Sequence, residues 1–291
     1  MADMRWIGGT LSTAAVYDVA VSASLAVVTN WRVGSSVTPS TRIPNGSDNI
    51  WITGDSTTSI LSDLTTLSTV TGELHITNTY SQAVGSSTAG YLEMKPAESY
   101  LGSAGQVYAD VKASTGPVTI TQTATPAVGD VGLRLKGSAI STISMEGGTV
   151  GLAHELGATA TAATIRVLSG SLTLGEGVTY GSASLRSGSL IVKCASSTSD
   201  IEVFGGTFYG FEEWQVDDLT VFGGTAYTGG SGAIDGLTIN GGTVNAAQSG
   251  VARTYTTVTQ HGGTFKYDPD VVTITNHGAP DAPVSIVARS I

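Results

Sequence analysis

The sequence predicts an all-β protein built as a single-stranded β-solenoid, with coils of about 18–22 residues and an N-terminal cap. Three observations carry this. A tetrad of small residues recurs seven times between Gly147 and Thr264, with Gly always second and Ser or Thr always third. Its first residues are separated by steps of 22, 18, 18, 18, 18 and 21 residues. Each tetrad lies between two short segments in which apolar residues alternate with polar ones.

The invariant second glycines are Gly148, Gly170, Gly188, Gly206, Gly224, Gly242 and Gly263. A glycine followed by a hydroxyl residue suits a chain turning a corner, because glycine adopts backbone angles that a Cβ forbids. Four and two residues before the tetrads stand pairs such as Ile165/Val167, Ile201/Val203 and Leu237/Ile239. Just inside the following segments stand Val150, Leu172, Leu190, Phe208, Ala226, Val244 and Phe265. A period of two puts each set on one face of a strand, and the repeat stacks the sets into columns. One such repeat cannot fold alone, so neighbouring coils must share a continuous core. The seventh repeat breaks the pattern with Gln260 at an inward position, which predicts the end of the regular stack.

Composition agrees. The chain has 291 residues, 38 of them glycine, and only 12% are charged, which favours β structure over helix or disorder. A net charge of −10 argues against the clustered basic footprint of a nucleic-acid binder and against binding to anionic membranes. The single cysteine, Cys194, cannot form an intrachain disulfide and reads as a small packed residue. The opening residues Met1 to Trp6 lack the apolar run of a signal peptide, so no export is expected. No run approaches the length of a membrane-spanning helix.

Residues 1–54 form the expected cap or attachment segment. Trp6, Trp31 and Trp51 fall here, and bulky aromatics suit the covering of an open solenoid end. A carbohydrate-stacking platform is the functional alternative for these rings. Residues 55–275 are the expected solenoid, irregular to about 146 and regular over 147–265. The stretch from Thr71 to Gly147 has room for about four coils, with strand-like runs at Tyr91–Met94, Val107–Val111, Val118–Ile120 and Leu133–Leu135. His154–Leu156 and Ala158–Ala163, the insertion behind the 22-residue step, read as coil, with a short helix as the alternative. Residues 276–291 read as a linker followed by a terminal strand, Val284–Ala288, that either caps the stack or pairs with a neighbouring subunit.

The segments Trp6-x-Gly8, Asn30-Trp31-x-x-Gly34 and Ile43-Pro44-x-Gly46-x-Asp48-x-Ile50 resemble the opening of a family of bacteriophage virion-associated β-solenoid proteins. The Asp268-Pro269-Asp270 stretch after the Gly-Gly-Thr coils resembles that family's end. The resemblance implies a non-enzymatic virion protein of the capsid decoration, cement or head-fibre type. Its partner would be the major capsid protein or another virion component, after assembly in the host cytoplasm. Right-handed winding and a homo-oligomer, by analogy a trimer, follow from the same resemblance.

No catalytic or cofactor motif stands out. His75, His154, His261 and His277 lack metal-ligand spacing, and His261 reads as a surface residue. The stretch Gly229–Asp235 has the wrong spacing for a calcium-binding nonapeptide turn and occurs once. The acids merit more weight, since β-solenoids also host polysaccharide lyases and hydrolases. Glu212, Glu213, Asp217 and Asp218 cluster on one coil around Trp214, and Asp235 follows Asp217 by one 18-residue step. Two carboxylates beside an aromatic ring fit a glycosidase-like site on host glycans, a solvated loop, or a docking surface for a basic partner. A lyase would want a Lys or Arg as well, and none lies between Lys193 and Arg253. Two readings therefore compete with the decoration protein: a phage tail protein that binds or degrades surface carbohydrate, and a bacterial adhesin.

Overall fold

The structure is a computed structural model describing residues 1–7, 24–36, 40–112, 114–195, 198–211, 214–247 and 251–278. The predicted terminal strand Val284–Ala288 lies outside the described residues. The fold is a parallel β-solenoid. No α-helix occurs among the described residues, so none is long and apolar enough to cross a membrane. The chain divides into two compact units, Met1–Gly151 and Leu152–Ile291.

The first unit opens with the strand Asp3–Trp6, which pairs antiparallel with Trp31–Val33 and parallel with Asn49–Ile52. Trp6 and Trp31 are buried edge to face, 5.5 Å between ring centres, and the Trp31 indole N–H donates to the Leu25 carbonyl at 2.9 Å. An antiparallel strand laid against a parallel stack occupies the strand edge that would otherwise invite another chain. Trp51 does not join these two rings. It lies on the outward side of Asn49–Ile52 and stacks on His75 at 3.8 Å, and His75 stacks in turn on Tyr100 at 4.6 Å.

From there Ile50 pairs with Leu74, Leu74 with Ser99, Ser99 with Val118 and Val118 with Ile143. Leu74 and Ile143 are thus three coils apart, where length alone suggests about four between Thr71 and Gly147. The chain lost to the difference lies in loops such as the Ser86–Gly90 turn, closed by hydrogen bonds in both directions. The strand Ser99–Leu101 has no clear sequence signal, and its Ser99 is buried. The 15-residue strand Leu133–Gly147 turns a corner, at Gly137 (φ 155°) and Ala139 (φ 56°). Its first part pairs with Val107–Val111 and its last with Pro117–Thr121.

The second unit is regular. One sheet runs through Ala160–Val167, Val178–Leu185, Asp200–Val203, Val216–Val221, Ile234–Ile239, Arg253–Gln260 and Val272–His277. The other runs through Ser171–Leu174, Ser189–Val192, Thr207–Gly210, Thr225–Thr228, Thr243–Asn245 and Thr264–Lys266. Ala160–Ala163, expected as coil, belongs to a strand. Ala160 and Ala162 pair with Val178 and Tyr180 of the next coil, and this ladder overrides a weak local pattern.

The tetrads behave as their chemistry requires. All seven second glycines have positive φ, from 90° at Gly148 to 70° at Gly263. At Gly224 the N–H of the following Thr225 donates to the Gly206 carbonyl one coil back at 3.0 Å, and a Cβ at 224 would collide with that carbonyl. The inward positions read from the sequence are buried throughout. Gln260 stays buried by donating its amide to the Gly263 carbonyl at 3.0 Å, and one further strand, Val272–His277, pairs beyond it.

A candidate docking face on the second unit

The first sheet of the second unit has an outward face, and register fixes what it displays. Thr164, Ser182, Asp200, Asp218, Gly236 and Thr257 form one row across successive coils. Arg166, Ser184, Glu202, Thr220, Thr238 and Thr259 form the next. Neighbouring members of a row stand about 4.8 Å apart, the spacing of hydrogen-bonded strands. Small hydroxyl side chains leave a shallow groove of about 500 Å³, which reaches from Thr164 to Asp218 and Thr220.

Several long strands of this sheet carry two non-buried residues in succession, breaking the alternation: Gly181-Ser182, Asp217-Asp218, Asp235-Gly236 and Thr256-Thr257. At these places the inward–outward alternation slips by one residue between two buried stretches, so both positions of each pair lie away from the core. Val216 pairs with Ile234 and Asp218 with Gly236, so Asp217 and Asp235 occupy the same level on adjacent coils, as their spacing predicts. Asp200 and Asp218 pair directly. None of Asp200, Glu202, Asp217 and Asp218 is in an ion pair among the described residues. Partial burial, together with the neighbouring charges of Asp217, Asp200 and Asp235, raises the Asp218 carboxyl above the usual carboxylate range.

A third outward row borders the groove. It consists of the residues just before each tetrad, including Leu168, Arg186, Phe204, Phe222 and Asn240. Each from Arg186 onward donates its N–H to the preceding coil at 2.8 Å. Phe204 and Phe222 stack at 4.8 Å with their planes 5° apart, and the Arg186 guanidinium covers the far face of Phe204 at 4.7 Å. The rings remain 37% and 44% exposed, and Leu168 is 37% exposed. Both faces of Phe204 and one face of Phe222 are spent on stacking, so the pair offers chiefly its ring edges as an apolar ridge. Sequence reasoning passed over Phe204 and Phe222. The signal was their phase: two residues beyond outward Glu202 and Thr220, they too must point outward.

Other sequence-predicted residues lie elsewhere. Trp214, expected at a ligand or partner surface, is wholly buried: it packs flat on Gly210, tilts against Phe208 at 5.0 Å and lies under the Arg253 guanidinium at 4.8 Å. An indole of this size gains more from filling the coil interior than from facing water. Arg253 is therefore a core residue, donating to the Trp214 carbonyl at 3.1 Å and to the Gly230 carbonyl. Glu212 and Glu213 lie outside the described residues. Asp235 accepts a hydrogen bond from Thr256 at 3.2 Å. No group of three or more His, Cys, Asp or Glu side chains capable of holding a metal occurs among the described residues. Cys194 is buried, which pushes its thiol up to about 12.

The charges of the first unit are arranged differently. Lys112 pairs with Glu93 at 2.6 Å and lies 3.8 Å from Asp110; Lys136 lies 3.9 Å from Asp110 and over the Tyr91 ring at 4.1 Å. There acids and lysines satisfy one another, whereas the acids of the second unit's groove face outward with no ion pair among the described residues. No family model, curated protein or solved structure matches the chain. Fold and surface together define a β-solenoid that presents an ordered outward face.

Proposed function

We propose that the protein is a structural, non-enzymatic component of a bacteriophage particle, of the capsid decoration, cement or head-fibre type, which binds a partner through the outward rows of its coils. The observation that supports this most is the stacked, half-exposed Phe204–Phe222 pair beside acids that form no ion pair among the described residues, held at fixed spacing by backbone ladders. A rigid repeating surface of this kind lets many weak contacts add across a partner lattice. The phage assignment rests on the resemblance of the Trp6, Trp31 and Ile43–Ile50 segments described above. Mass spectrometry of purified particles of the encoding phage, with copy number, tests it. Hundreds of copies per particle fit decoration or cement, a handful fits a fibre or tail component, and absence from the particle refutes the proposal.

Of the residues that the polysaccharide-degrading alternative drew on, Asp217 and Asp235 stand level on adjacent coils, whereas Trp214 lies in the core out of reach of a sugar. Release of reducing ends from host polysaccharide, lost in Asp217→Asn, would establish it against the docking reading.

A further inference from the structure

Across the outward face of the second unit, three features meet. The Phe204–Phe222 ridge is apolar and exposed at its ring edges. The rows beside it carry Asp200, Glu202 and Asp218, which form no ion pair among the described residues; Arg166 stands two coils away from Glu202. These acids, with Thr164, Ser182, Ser184 and Thr220, line a groove of about 500 Å³, within the range of ligand-binding clefts.

We infer that this face docks a polypeptide segment carrying lysine or arginine side chains alongside apolar ones. The inference rests on reading the face as a docking surface and does not depend on the phage assignment. Charge decides the class of partner. In-register carboxylates repel one another, and a cation seated between Asp200 and Asp218 would relieve that repulsion while gaining their attraction. A second copy of this chain, with its net charge of −10, would bring the wrong sign to the same place. Ring geometry counts against a glycan at Phe204. A sugar stacks on an open aromatic face, but Phe204 is covered by Arg186 on one side and Phe222 on the other. Ring edges instead suit aliphatic side chains. The partner's cations would lie over the acidic rows, and its apolar residues would lie along the ridge.

The test uses the full chain and a fluorescent synthetic peptide of alternating lysine and leucine, with a glutamate–leucine peptide and a neutral maltooligosaccharide as comparison probes. The lysine peptide should bind, and binding should weaken as salt rises. Asp200→Asn with Asp218→Asn should weaken it roughly tenfold. Glu176→Gln with Asp270→Asn removes the same charge at exposed positions outside these rows and should change affinity less than about twofold. Phe204→Thr with Phe222→Thr should also weaken binding; if that variant melts early, the aspartate pair decides. Equal losses in the two charge-matched variants would mean diffuse attraction and overturn the inference. So would no binding of the lysine peptide, or a preference for the glutamate peptide or the oligosaccharide. If the peptide fails while the protein is found on particles, only this inference falls. If the peptide binds as described but the protein is absent from particles, only the particle proposal falls.

Discussion

The carboxylate of Asp218 lies over Gly236 of the next coil, where a Cβ would collide with its Oδ1. On its other side the row continues into Asp200. Like charges stacked in register oppose the ladder that holds them. Because the folded protein raises the Asp218 pKa, this group favours folding most below its unfolded value of about 3.9. That contribution is lost as pH rises through the folded pKa, leaving a charged Asp218 destabilising at neutral pH. Asp218→Asn should therefore raise stability at pH 7 by about 0.3–1 kcal/mol, the small range reflecting solvent screening. Urea titrations of both proteins should show the gap shrinking toward pH 4 and in high salt; an Asn variant less stable at pH 7 would contradict the repulsion.

The turn ladder makes a sharper demand. Gly224 combines φ 73° with close approach to the Gly206 carbonyl, so alanine there meets backbone strain and a steric clash together. Gly224→Ala should cost about 1–3 kcal/mol. Gly157 also has positive φ (77°), but a Cβ there would meet nothing within 4 Å, so Gly157→Ala meets only the strain. Chemical unfolding of both variants separates the two contributions: equal losses would mean that coil-to-coil contact adds nothing.

At the N-terminal cap Asp48 is buried and accepts from the Ala2 and Asn45 N–H groups, both at 3.0 Å, while pairing with Arg42. Burial alone would raise its pKa, but the Arg42 guanidinium and the two N–H groups outweigh it and hold the carboxyl below its usual value. A depressed folded pKa means stability that is present above about pH 3.9 and lost as pH falls through the folded value. Asp48→Asn should cost about 1–3 kcal/mol at pH 7 and blunt the acid sensitivity of the first unit. Thermal melts between pH 2 and 7 would show the variant and parent converging in acid. Parallel pH profiles would contradict the assignment.

The period was legible because glycine at a positive-φ turn and alternation along a strand are both local requirements, and Gly148 through Gly263 meet them in sequence order. What stayed hidden depends on pairing between coils. Ala160–Ala163 looks featureless until Tyr180 and Val178 lie beside it. The three tryptophans of the first segment share a composition but not a fate: Trp6 and Trp31 go inward, whereas Trp51 stands in an outward row with His75 and Tyr100. The candidate site was half visible. The 18-residue step aligned Asp217 with Asp235, but Asp200 and Phe204 gain meaning only when the row order between coils is known.

Trp214 and Phe222 make the clearest test of core against face. Trp214 is wholly enclosed between Gly210, Phe208 and Arg253, so Trp214→Ala leaves a large cavity and removes the ring beneath a buried guanidinium. It should cost about 3–5 kcal/mol. Phe222 is 44% exposed; its N–H donates to the Val203 carbonyl, and its ring stacks on Phe204. Phe222→Thr continues a row position that tolerates polar side chains, as Asn240 shows one coil on, and should change stability by no more than about 0.5 kcal/mol. Urea unfolding of the two variants reads both effects. A small loss at Trp214 would return that ring to the surface and revive a carbohydrate role for the acids around it. A large loss at Phe222 would make the ridge a structural stack whose exposure serves stability.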